Sequence, residues 1–442
     1  MALADAATPD EAAETSAPGE LEARLRQRME RLYPLCRSLT GDGVRQTLAI
    51  LAEDLPLDVR RVPSGSSVFD WTIPPEWSAR AAWIADATTG ERLVDFAHHT
   101  LHLVSYSAPF SGRLDRTELE PHLHSLPDRP EWIPYRTSYY ARDWGFCLSQ
   151  RQRDALGDGP FDVVVDTTLT EGADGGELVY GEVLLPGTEA DAGEVLISSH
   201  LCHPSLANDN LSGLAVATEL ARRIGGRRHR LTYRFVFAPG TIGSLTWLAE
   251  HPEVRPAHVL VLTGLGGGGP LVYKRTRRGA APIDRAAEHV VGRRNGRIID
   301  YSPYGYDERQ YNALGFDLPA GRLTRTPHGE YPEYHTSADD LGFVRDDELV
   351  EAMTAIEEIL EVLEGDAAYR NLSPYGEPQL GKRGLYPKMG GRSADDAVMA
   401  MLWLMACSDG DTSVLSIADR AGLPFGVLRK AADDLLGAGL LG

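Results

Sequence analysis

Residues 194–224 read EVLISSHLCHPSLANDNLSGLAVATELARRI, and this stretch decides the fold. It begins with a short apolar run, EVLISSH, whose length and composition predict a buried strand. It ends with LSGLAVATELARRI, whose apolar spacing predicts an amphipathic helix. From about residue 160 onward, similar Val/Ile/Leu/Tyr-rich runs alternate with helical segments. We therefore expect an α/β fold with a mixed, mostly parallel central sheet flanked by helices.

The N-terminal half has two parts that do not follow this alternation. Residues 1–19 are acidic and rich in Ala and Pro, which predicts a disordered tail. Residues 62–130 contain frequent Pro, Trp and Ser with short alternating runs, which predicts a small β-rich insert. The α/β domain should then consist of residues 20–61 and 131–365.

The C-terminal part is expected to be a separate helical module. Residues 366–392 are rich in Gly, Pro and Tyr and predict a linker. Residues 393–442 predict three short helices, a pattern typical of a winged-helix-like module. From Asp395 onward this segment carries seven acidic and three basic residues, which disfavours contacts with nucleic-acid phosphates. A role as a lid or in homo-oligomer formation is expected instead.

Composition and charge exclude several classes of protein. The 442 residues carry a net charge of −20, whereas general nucleic-acid binders are usually basic. No run approaches the roughly 18 apolar residues of a membrane span. The N-terminus lacks the basic and apolar regions of a signal peptide. The four cysteines are widely spaced, which favours free thiols in a reducing cytoplasm. We expect a cytoplasmic protein without nucleic-acid or membrane partners.

A candidate metal site follows the strand of the opening stretch. The strand ends at His200, and His203 and Asp209 come soon after it. Ligands of open α/β sheets bind at the carboxyl ends of strands, where this loop should lie. Asp209 could simply cap the helix that follows. Two histidines on the same loop favour a metal site, since His and Asp are common zinc ligands.

A second stretch, EYPEYHTSADDL at residues 330–341, supplies a further histidine, His335. Together His203, Asp209 and His335 form a His/Asp/His set with an open fourth position. Catalytic zinc sites have this composition, because the open position holds water or substrate. The two stretches therefore predict a catalytic zinc centre.

The order of these motifs resembles that of the zinc-dependent aminopeptidases of the leucyl-aminopeptidase type, which use two co-catalytic zinc ions. The resemblance is closer to a bacterial branch of aminopeptidase-like proteins with an inserted small domain and a C-terminal winged-helix-like segment. It is carried by CHPSLANDNLSG, PYGYDERQY and YPEYHTSADDL, and it spans nearly the whole chain. The resemblance implies that Asp209 and His335 are ligands, together with a histidine near the strand end.

The sequence departs from the two-zinc family at two places. Where that family has a Glu-Glu pair, a general base and a zinc ligand, this chain has Gly240 and Thr241. The following strand, HVLVLTG, ends in glycine where the family has a zinc-binding Asp. A second zinc would lack donors. We predict one zinc ion, held by His203, Asp209 and His335, with His200 as the alternative to His203.

Hydrolysis at such a site requires a general base. The resemblance places the segment containing Asp307 and Glu308 near the active site, so Glu308 is predicted to be the base with Asp307 beside it. Glu330 and Glu333 are alternatives, and Asp307 could instead form a structural ion pair with the neighbouring arginine. Tyr334 is predicted to donate a hydrogen bond to the oxyanion.

Predicted substrate contacts come from Lys274 and Arg275, in the basic stretch YKRTRRG, and from Tyr306. The two cations could bind a substrate carboxylate, although a solvated loop explains them equally well. The predicted function is a zinc-dependent aminopeptidase-type hydrolase that cleaves an amide bond next to a free amino group. Its substrate would be a small peptide or an aminoacyl amide. The alternative is a catalytically inactive binding protein with the same fold.

Overall fold

The computed structural model describes residues 18–170, 175–385 and 396–442. Most of the predicted tail, residues 1–17, lies outside the described residues, and so does the segment 386–395 at the end of the predicted linker. The first described residues already belong to a helix, which starts at Pro18.

The described strands are, in chain order, β1 (Asp58–Pro63), β2 (Ser67–Val68), β3 (Trp71–Thr72), β4 (Glu76–Asp86), β5 (Arg92–Asp95), β6 (Phe110–Leu114), β7 (Leu123–His124), β8 (Phe146–Cys147), β9 (Phe161–Thr170), β10 (Glu177–Leu185), β11 (Glu194–His200), β12 (Thr232–Ala238), β13 (His258–Leu262), β14 (Val272–Lys274), β15 (Arg297–Ile299), β16 (Ala320–Thr324), β17 (Ala368–Arg370) and β18 (Asp409–Ser413). The described α-helices are α1 (Pro18–Leu32), α2 (Asp42–Leu51), α3 (Arg116–Leu119), α4 (Gln150–Ala155), α5 (Gly213–Gly225), α6 (Ile242–Glu250), α7 (Pro282–Arg293), α8 (Glu308–Tyr311), α9 (Asp346–Gly365), α10 (Asp396–Cys407), α11 (Val414–Ala421) and α12 (Phe425–Gly437).

Among the described residues, an eight-stranded central sheet has the order β1-β10-β12-β11-β13-β16-β14-β15. Its four inner strands, β12, β11, β13 and β16, are parallel to one another. Antiparallel pairs join β10 to β12 and β14 to β16 towards the two edges. The predicted α/β fold with a mixed central sheet is therefore confirmed.

The central strand β11 shows why helices cover both faces of this sheet. Val195 and Ile197 pack into a hydrophobic cluster with α1, α5, α7 and α9, whereas Leu196 packs into a second cluster with α6 and α8 on the opposite face. Successive side chains of a strand point to opposite faces, so a strand that is apolar throughout must be covered on both sides. This burial fixes the strand end at which the candidate site lies.

A small four-stranded sheet, in the order β5-β4-β9-β6, corresponds to the β-rich insert. Its long central strand β9 pairs with β4 from Phe161 to Thr170, beyond residue 130 where the insert was predicted to end. The local pattern of β9 predicts a strand, but the identity of its partner depends on contacts that are distant in sequence. The strand therefore belongs to a different sheet from the runs that follow it.

The C-terminal module packs against the α/β domain. Strand β17 lies in the predicted linker and pairs with β18, so the module begins earlier than residue 393. Helix α12 contacts α9, and His289 Nδ1 lies 2.7 Å from Asp419 Oδ1. The two cations of α12 pair with acidic residues one turn later on the same helix, Arg429 with Asp433 and Lys430 with Asp434.

No helix in the described part of the chain is both long enough and apolar enough to span a lipid bilayer.

Candidate metal centre

Four candidate ligands meet at the carboxyl end of the parallel strands. His200 is the last residue of β11, and His203 lies in the loop that follows. Asp209 is buried in the turn directly before α5. His335 comes from the loop between β16 and α9. Because the inner strands all end at this edge, residues 126 positions apart in sequence come into contact here.

The carboxylate of Asp209 is the centre of the cluster. Its Oδ1 lies 2.9 Å from Nε2 of His200, and its Oδ2 lies 3.0 Å from Nε2 of His335. Nδ1 of His203 is 3.7 Å from the same Oδ2. The structure therefore brings the three predicted ligands together. It also places His200, the alternative ligand, against Oδ1 of Asp209, the oxygen that His203 and His335 do not contact.

Two side chains hold the backbone of the Asp209 turn in place. Asp339 accepts hydrogen bonds from the backbone N–H groups of Asn208, at 2.6 Å, and of Asp209, at 3.0 Å. The amide nitrogen of Asn210 donates to the backbone oxygen of His200 at 3.0 Å. These buried contacts orient the carboxylate of Asp209 towards the histidines, as preorganised sites require.

His203 and His335 have left-handed backbone conformations, with φ angles of 91° and 56°. Such conformations cost residues other than glycine about 1–3 kcal/mol and concentrate at functional sites. Both residues belong to the predicted ligand set. The surrounding structure therefore imposes a backbone conformation on these two histidines that they would not adopt in a free chain.

The donor set fits a zinc ion. Nδ1 of His203 is buried and has no hydrogen-bond partner among the described residues, so in the tautomer that carries its proton on Nε2 this nitrogen can bind a metal. Burial lowers the pKa of His203 to about 3, which keeps the imidazole neutral, as a metal ligand must be. Among the described residues, the group whose ligand atoms all lie within 4.8 Å of one another is His200, His203 and Asp209; His335 is outside this group, although its Nε2 contacts Asp209.

The charge state of Asp209 also suits a cation site. Its complete burial opposes ionisation, but His203, His200 and His335 together hold the pKa of Asp209 well below its usual value. The carboxylate is therefore charged at neutral pH and lies among imidazole groups. Neutral imidazoles around a carboxylate form a common zinc-binding environment.

Asp307 lies beside the position where the Glu-Glu pair is missing. A Cβ atom added at Gly240 would lie 3.4 and 3.5 Å from the two carboxylate oxygens of Asp307 and 3.2 Å from Cβ of His200. The carboxylate of Asp307, from another loop, thus lies next to Gly240, the position at which the two-zinc family has an acidic side chain. Burial raises the pKa of Asp307 to about 6.

Glu308, the predicted base, is fully buried in an ion pair. Its Oε1 lies 3.0 Å from Nζ of Lys274 and 3.4 Å from Nη1 of Arg322. Lys274 also donates a hydrogen bond of 2.9 Å to the backbone oxygen of Tyr304. Glu308 and Lys274, predicted as base and substrate contact, therefore neutralise each other beneath the site.

Two other candidates lie in surface ion pairs. Arg275 lies 2.5 Å from Glu288 and 2.6 Å from Asp300. It follows Lys274 directly in the chain, and successive side chains of an extended segment point in opposite directions. Glu330, an alternative base, pairs with Arg297 at 2.7 Å, and both side chains are exposed. Neither Arg275 nor Glu330 contacts the histidine cluster.

Aromatic rings surround the cluster. Tyr306 stacks on His200, with the ring centroids 5.2 Å apart, and Tyr334 stacks on His335 at 3.9 Å. The edge of Tyr135 contacts both His203 and His335 at 5.0 Å, and its backbone N–H donates to the backbone oxygen of His335 at 2.8 Å. Sequence reasoning missed Tyr135 because it lies outside the recognised motifs.

Comparison with protein families divides the chain as the structure does. A family described as "Domain of unknown function (DUF4910)" matches residues 26–366. A family described as "winged helix-turn-helix" matches residues 367–442. The boundary between the two matches lies directly before β17.

A named relative and a crystal structure, both from Clostridium acetobutylicum, are similar to this chain over nearly its full length. One, named "Putative polysaccharide biosynthesis protein with aminopeptidase-like domain", is 41% identical over 421 residues, which are 93% of this chain and 94% of that protein. The crystal structure of a "putative peptidase" from the same organism is 39% identical and has a TM-score of 0.88, covering 96% of this chain and 97% of that one.

A more distant structure shares the fold. BSAP, a zinc aminopeptidase from Bacillus subtilis, has a TM-score of 0.54 and 12% identity, covering 77% of this chain and 94% of that one. At this identity the similarity shows the fold alone. The aminopeptidase-like fold and the C-terminal winged-helix domain are both established by these comparisons.

Proposed function

This chain belongs to the family described as "Domain of unknown function (DUF4910)", and we propose that it is a metal-dependent amide hydrolase of the aminopeptidase type. One observation carries the proposal. The buried carboxylate of Asp209 lies among three histidines from two distant loops, and one of them, His203, has an unpartnered buried nitrogen. That donor set suits zinc, and its aromatic surroundings leave His335 partly exposed to substrate, with 31% of its side chain accessible.

The ligands of a single ion would be Asp209, His335 and His203, with His200 as the alternative to His203. Zinc bound there would polarise the amide carbonyl and lower the pKa of a bound water. We propose one ion because Gly240 and Thr241 offer no carboxylate for a second one. The nearest substitute carboxylate, Asp307, is better placed to move protons.

Asp307 is the general base in this proposal. It takes a proton from water as the water oxygen attacks the carbonyl carbon. It then delivers that proton to the amide nitrogen as the C–N bond breaks, which yields a carboxylic acid and an amine. Tyr334, stacked on His335, donates to the developing oxyanion. Glu308 has a positioning role in this proposal. Its ion pair with Lys274 fixes the start of α8, and Asp307 is the residue directly before that helix.

The substrate in this proposal is an amide next to a free amino group, such as a small peptide or an aminoacyl amide. The Clostridium relative is named for polysaccharide biosynthesis, which favours a dedicated substrate over general dipeptides.

The proposal is tested by metal analysis combined with a substrate panel. The purified protein is loaded with zinc, dialysed, and assayed on aminoacyl anilides and aminoacyl amides with and without a chelator. We expect about one zinc per chain and chelator-sensitive hydrolysis. Two zinc ions per chain would contradict the single-ion assignment. Tightly bound zinc without turnover of any substrate would overturn the hydrolase.

That last outcome would support the second candidate, a binding protein with the aminopeptidase fold. The observation that favours it is the missing Glu-Glu pair together with the neutralised Glu308. Under this alternative, the Asp307→Asn variant would keep every measurable function of the protein. Under the hydrolase proposal it loses activity while it keeps zinc.

We further propose that the winged-helix module has a structural role, such as closing the domain or joining two copies of the chain. The cations of α12 are paired with acids on the same helix, so they are poorly available to phosphates. Binding of duplex DNA that weakens steeply with salt, measured by fluorescence anisotropy, would contradict this role.

A further inference from the structure

Three buried polar atoms next to the proposed centre have no hydrogen-bond partner among the described residues. They are Oε2 of Glu308, Nε of Arg322 and Nδ1 of His328. Glu308 and Arg322 are at most 2% exposed. A buried polar group without a partner costs roughly 1–3 kcal/mol, so these three atoms have hydrogen-bonding capacity that water or the polar groups of a ligand would satisfy.

Two of these side chains lie at the ring of Tyr306, and the third pairs with one of them. The guanidinium of Arg322 lies 5.5 Å from the centre of that ring, and the ring of His328 lies 4.9 Å from it. Glu308 is two residues further along the chain and contacts Arg322 at 3.4 Å. His200 stacks against the same tyrosine. The unpartnered atoms are therefore adjacent to the proposed catalytic centre.

Two further tyrosines complete this group. Tyr304 lies 4.8 Å and Tyr334 5.9 Å from the ring of His328, measured between centroids. Tyr304 is 71% exposed, so this side of the group is open to solvent. We call the set the Tyr306 cluster; its members are Tyr304, Tyr306, Glu308, Arg322, His328 and Tyr334.

The unpartnered atoms differ in hydrogen-bonding character, which narrows the ligand class. Arg322 Nε–H can only donate, Glu308 Oε2 can only accept while it is ionised, and His328 Nδ1 can do either. A carboxylate would satisfy Arg322 but would repel Glu308. A hydroxyl group both donates and accepts, so a ligand with several hydroxyls satisfies all three.

The aromatic surfaces point to the same class. Tyrosine rings combine an apolar face with a polar hydroxyl, and they suit ligands whose flat C–H faces alternate with polar groups. A sugar ring has both features. A purely apolar side chain would use the rings but would leave the three polar atoms unpartnered.

We propose that the Tyr306 cluster is a saccharide subsite, so that the hydrolase acts on an amide whose nitrogen is attached to a sugar. This inference rests on the proposed function for the reaction itself, but the subsite can be tested by binding alone. Hydrolysis of such an amide adds water across the C–N bond and releases an amino sugar and a carboxylic acid.

The test compares two probes that share an acetamide on a six-membered ring, one with the ring oxygen and hydroxyls of a sugar and one with a plain hydrocarbon ring. Methyl 2-acetamido-2-deoxy-β-glucopyranoside and N-cyclohexylacetamide each carry an acetamide on a six-membered ring. Their affinities for the zinc-loaded full-length chain are measured by calorimetry and by ligand-observed NMR. We expect the sugar to bind at least about tenfold more tightly, because one well-made contact to a buried polar group is worth that much.

Variants locate the binding. We expect Tyr304→Ala and His328→Gln each to weaken sugar binding by about tenfold. The matched control is Tyr375→Ala, which removes a fully exposed tyrosine outside the cluster and should leave the affinity unchanged. Both test variants change side chains that are exposed or only half-buried, and thermal melts verify that they fold.

The outcomes separate this inference from the proposed function. Equal affinity for the two probes, binding of neither, or unchanged sugar binding in both variants would overturn the saccharide subsite. Anilide hydrolysis would remain possible in each of those cases. Conversely, sugar binding that persists in zinc-free Asp209→Asn protein, without turnover by the wild type, would keep the subsite and reject the hydrolase.

Discussion

Strand β11 joins two buried charged clusters that differ in how their charges are compensated. At its first residue, Glu194 lies 2.8 Å from Arg234, and the same arginine pairs with Glu182. At its last residue, His200 lies against Asp209, whose nearest described side chains are imidazoles. One end thus has a permanent cation paired with its acids, whereas the side chains hydrogen-bonded to the carboxylate of Asp209 are imidazoles.

This difference shows which cluster is structural and which binds a ligand. Breaking a buried ion pair leaves an uncompensated charge, so the Arg234 cluster is complete as it stands. The carboxylate of Asp209 is instead held by imidazoles, which are themselves common zinc ligands and can share the carboxylate with a metal cation. Substitutions at one end of the strand should therefore alter metal binding, and substitutions at the other end should alter stability.

The largest effect is expected for Asp209→Asn. The variant should lose zinc and lower hydrolysis by about 1,000-fold or more, because both carbonyl polarisation and water activation depend on the metal. The free energy of unfolding of the zinc-free protein should fall by about 1 kcal/mol, because asparagine preserves the shape but loses the charged form that the lowered pKa of Asp209 shows to be favoured in the fold. Zinc content by mass spectrometry and a urea titration measure the two quantities. Retention of zinc would refute the ligand role.

The opposite end of β11 should respond in the opposite way. Arg234→Met leaves Glu182 and Glu194 without their shared cation and should lower the free energy of unfolding by about 3 kcal/mol. Zinc stoichiometry and kcat should remain at wild-type values under conditions where the variant is folded. Urea titrations of both proteins, with zinc analysis of the folded fraction, make the comparison. A variant as stable as wild type would show that the two clusters do not differ as argued.

The sequence predicted the fold and the contact between the loops, but only part of the roles. The buried strand before His200 and the helix after Asp209 are local patterns, and the structure has both. The contact between Asp209 and His335 was predicted because the motifs occur together in related proteins. Local patterns and shared motifs can be recognised in the sequence without knowledge of which side chains pack around them.

Charge pairing, in contrast, depends on packing that local patterns do not encode. Glu308 and Asp307 are adjacent and chemically alike, yet one lies in an ion pair with Lys274 and the other next to Gly240. Arg322 lies in a short strand outside the recognised motifs, so no pattern in the sequence indicated its place beside Glu308. The partners of Glu308 and Arg322 depend on which strands are neighbours in the sheet. The pairing of β9 with the insert depends on the same kind of long-range contact.

The next prediction separates these two carboxylates. Asp307→Asn should lower kcat by about 100-fold, because a general base contributes that much. KM, zinc content and melting temperature should hold, because burial already opposes ionisation of Asp307 and a neutral asparagine of the same shape removes that cost. Glu308→Gln is the matched control. It should lower the melting temperature instead, since Lys274 and Arg322 lose their counter-charge. If Glu308→Gln loses kcat at unchanged stability, the roles are reversed.

A smaller effect should distinguish the two early histidines. His203 has an unpartnered nitrogen, so His203→Ala should weaken zinc affinity about tenfold more than His200→Ala does. Competition with a chromophoric chelator gives the affinities, and each histidine variant serves as the other's control. The reverse ranking would assign the ligand role to His200 and leave His203 as a neighbour of the site.

The smallest effect tests the structural end of β11 by pH. Nε2 of His251 lies 3.2 Å from Glu182, and hydrogen bonding to that carboxylate raises the pKa of His251 above its usual 6.5. A raised pKa means that this contribution to stability is complete below pH 6.5 and is lost as the pH rises through the higher folded-state value. The loss should be about 1 kcal/mol or less. Unfolding free energies of wild type and His251→Gln should therefore differ at low pH and converge above that value. A difference in unfolding free energy that stays constant across this pH range would mean that the contact between His251 and Glu182 makes no pH-dependent contribution to stability.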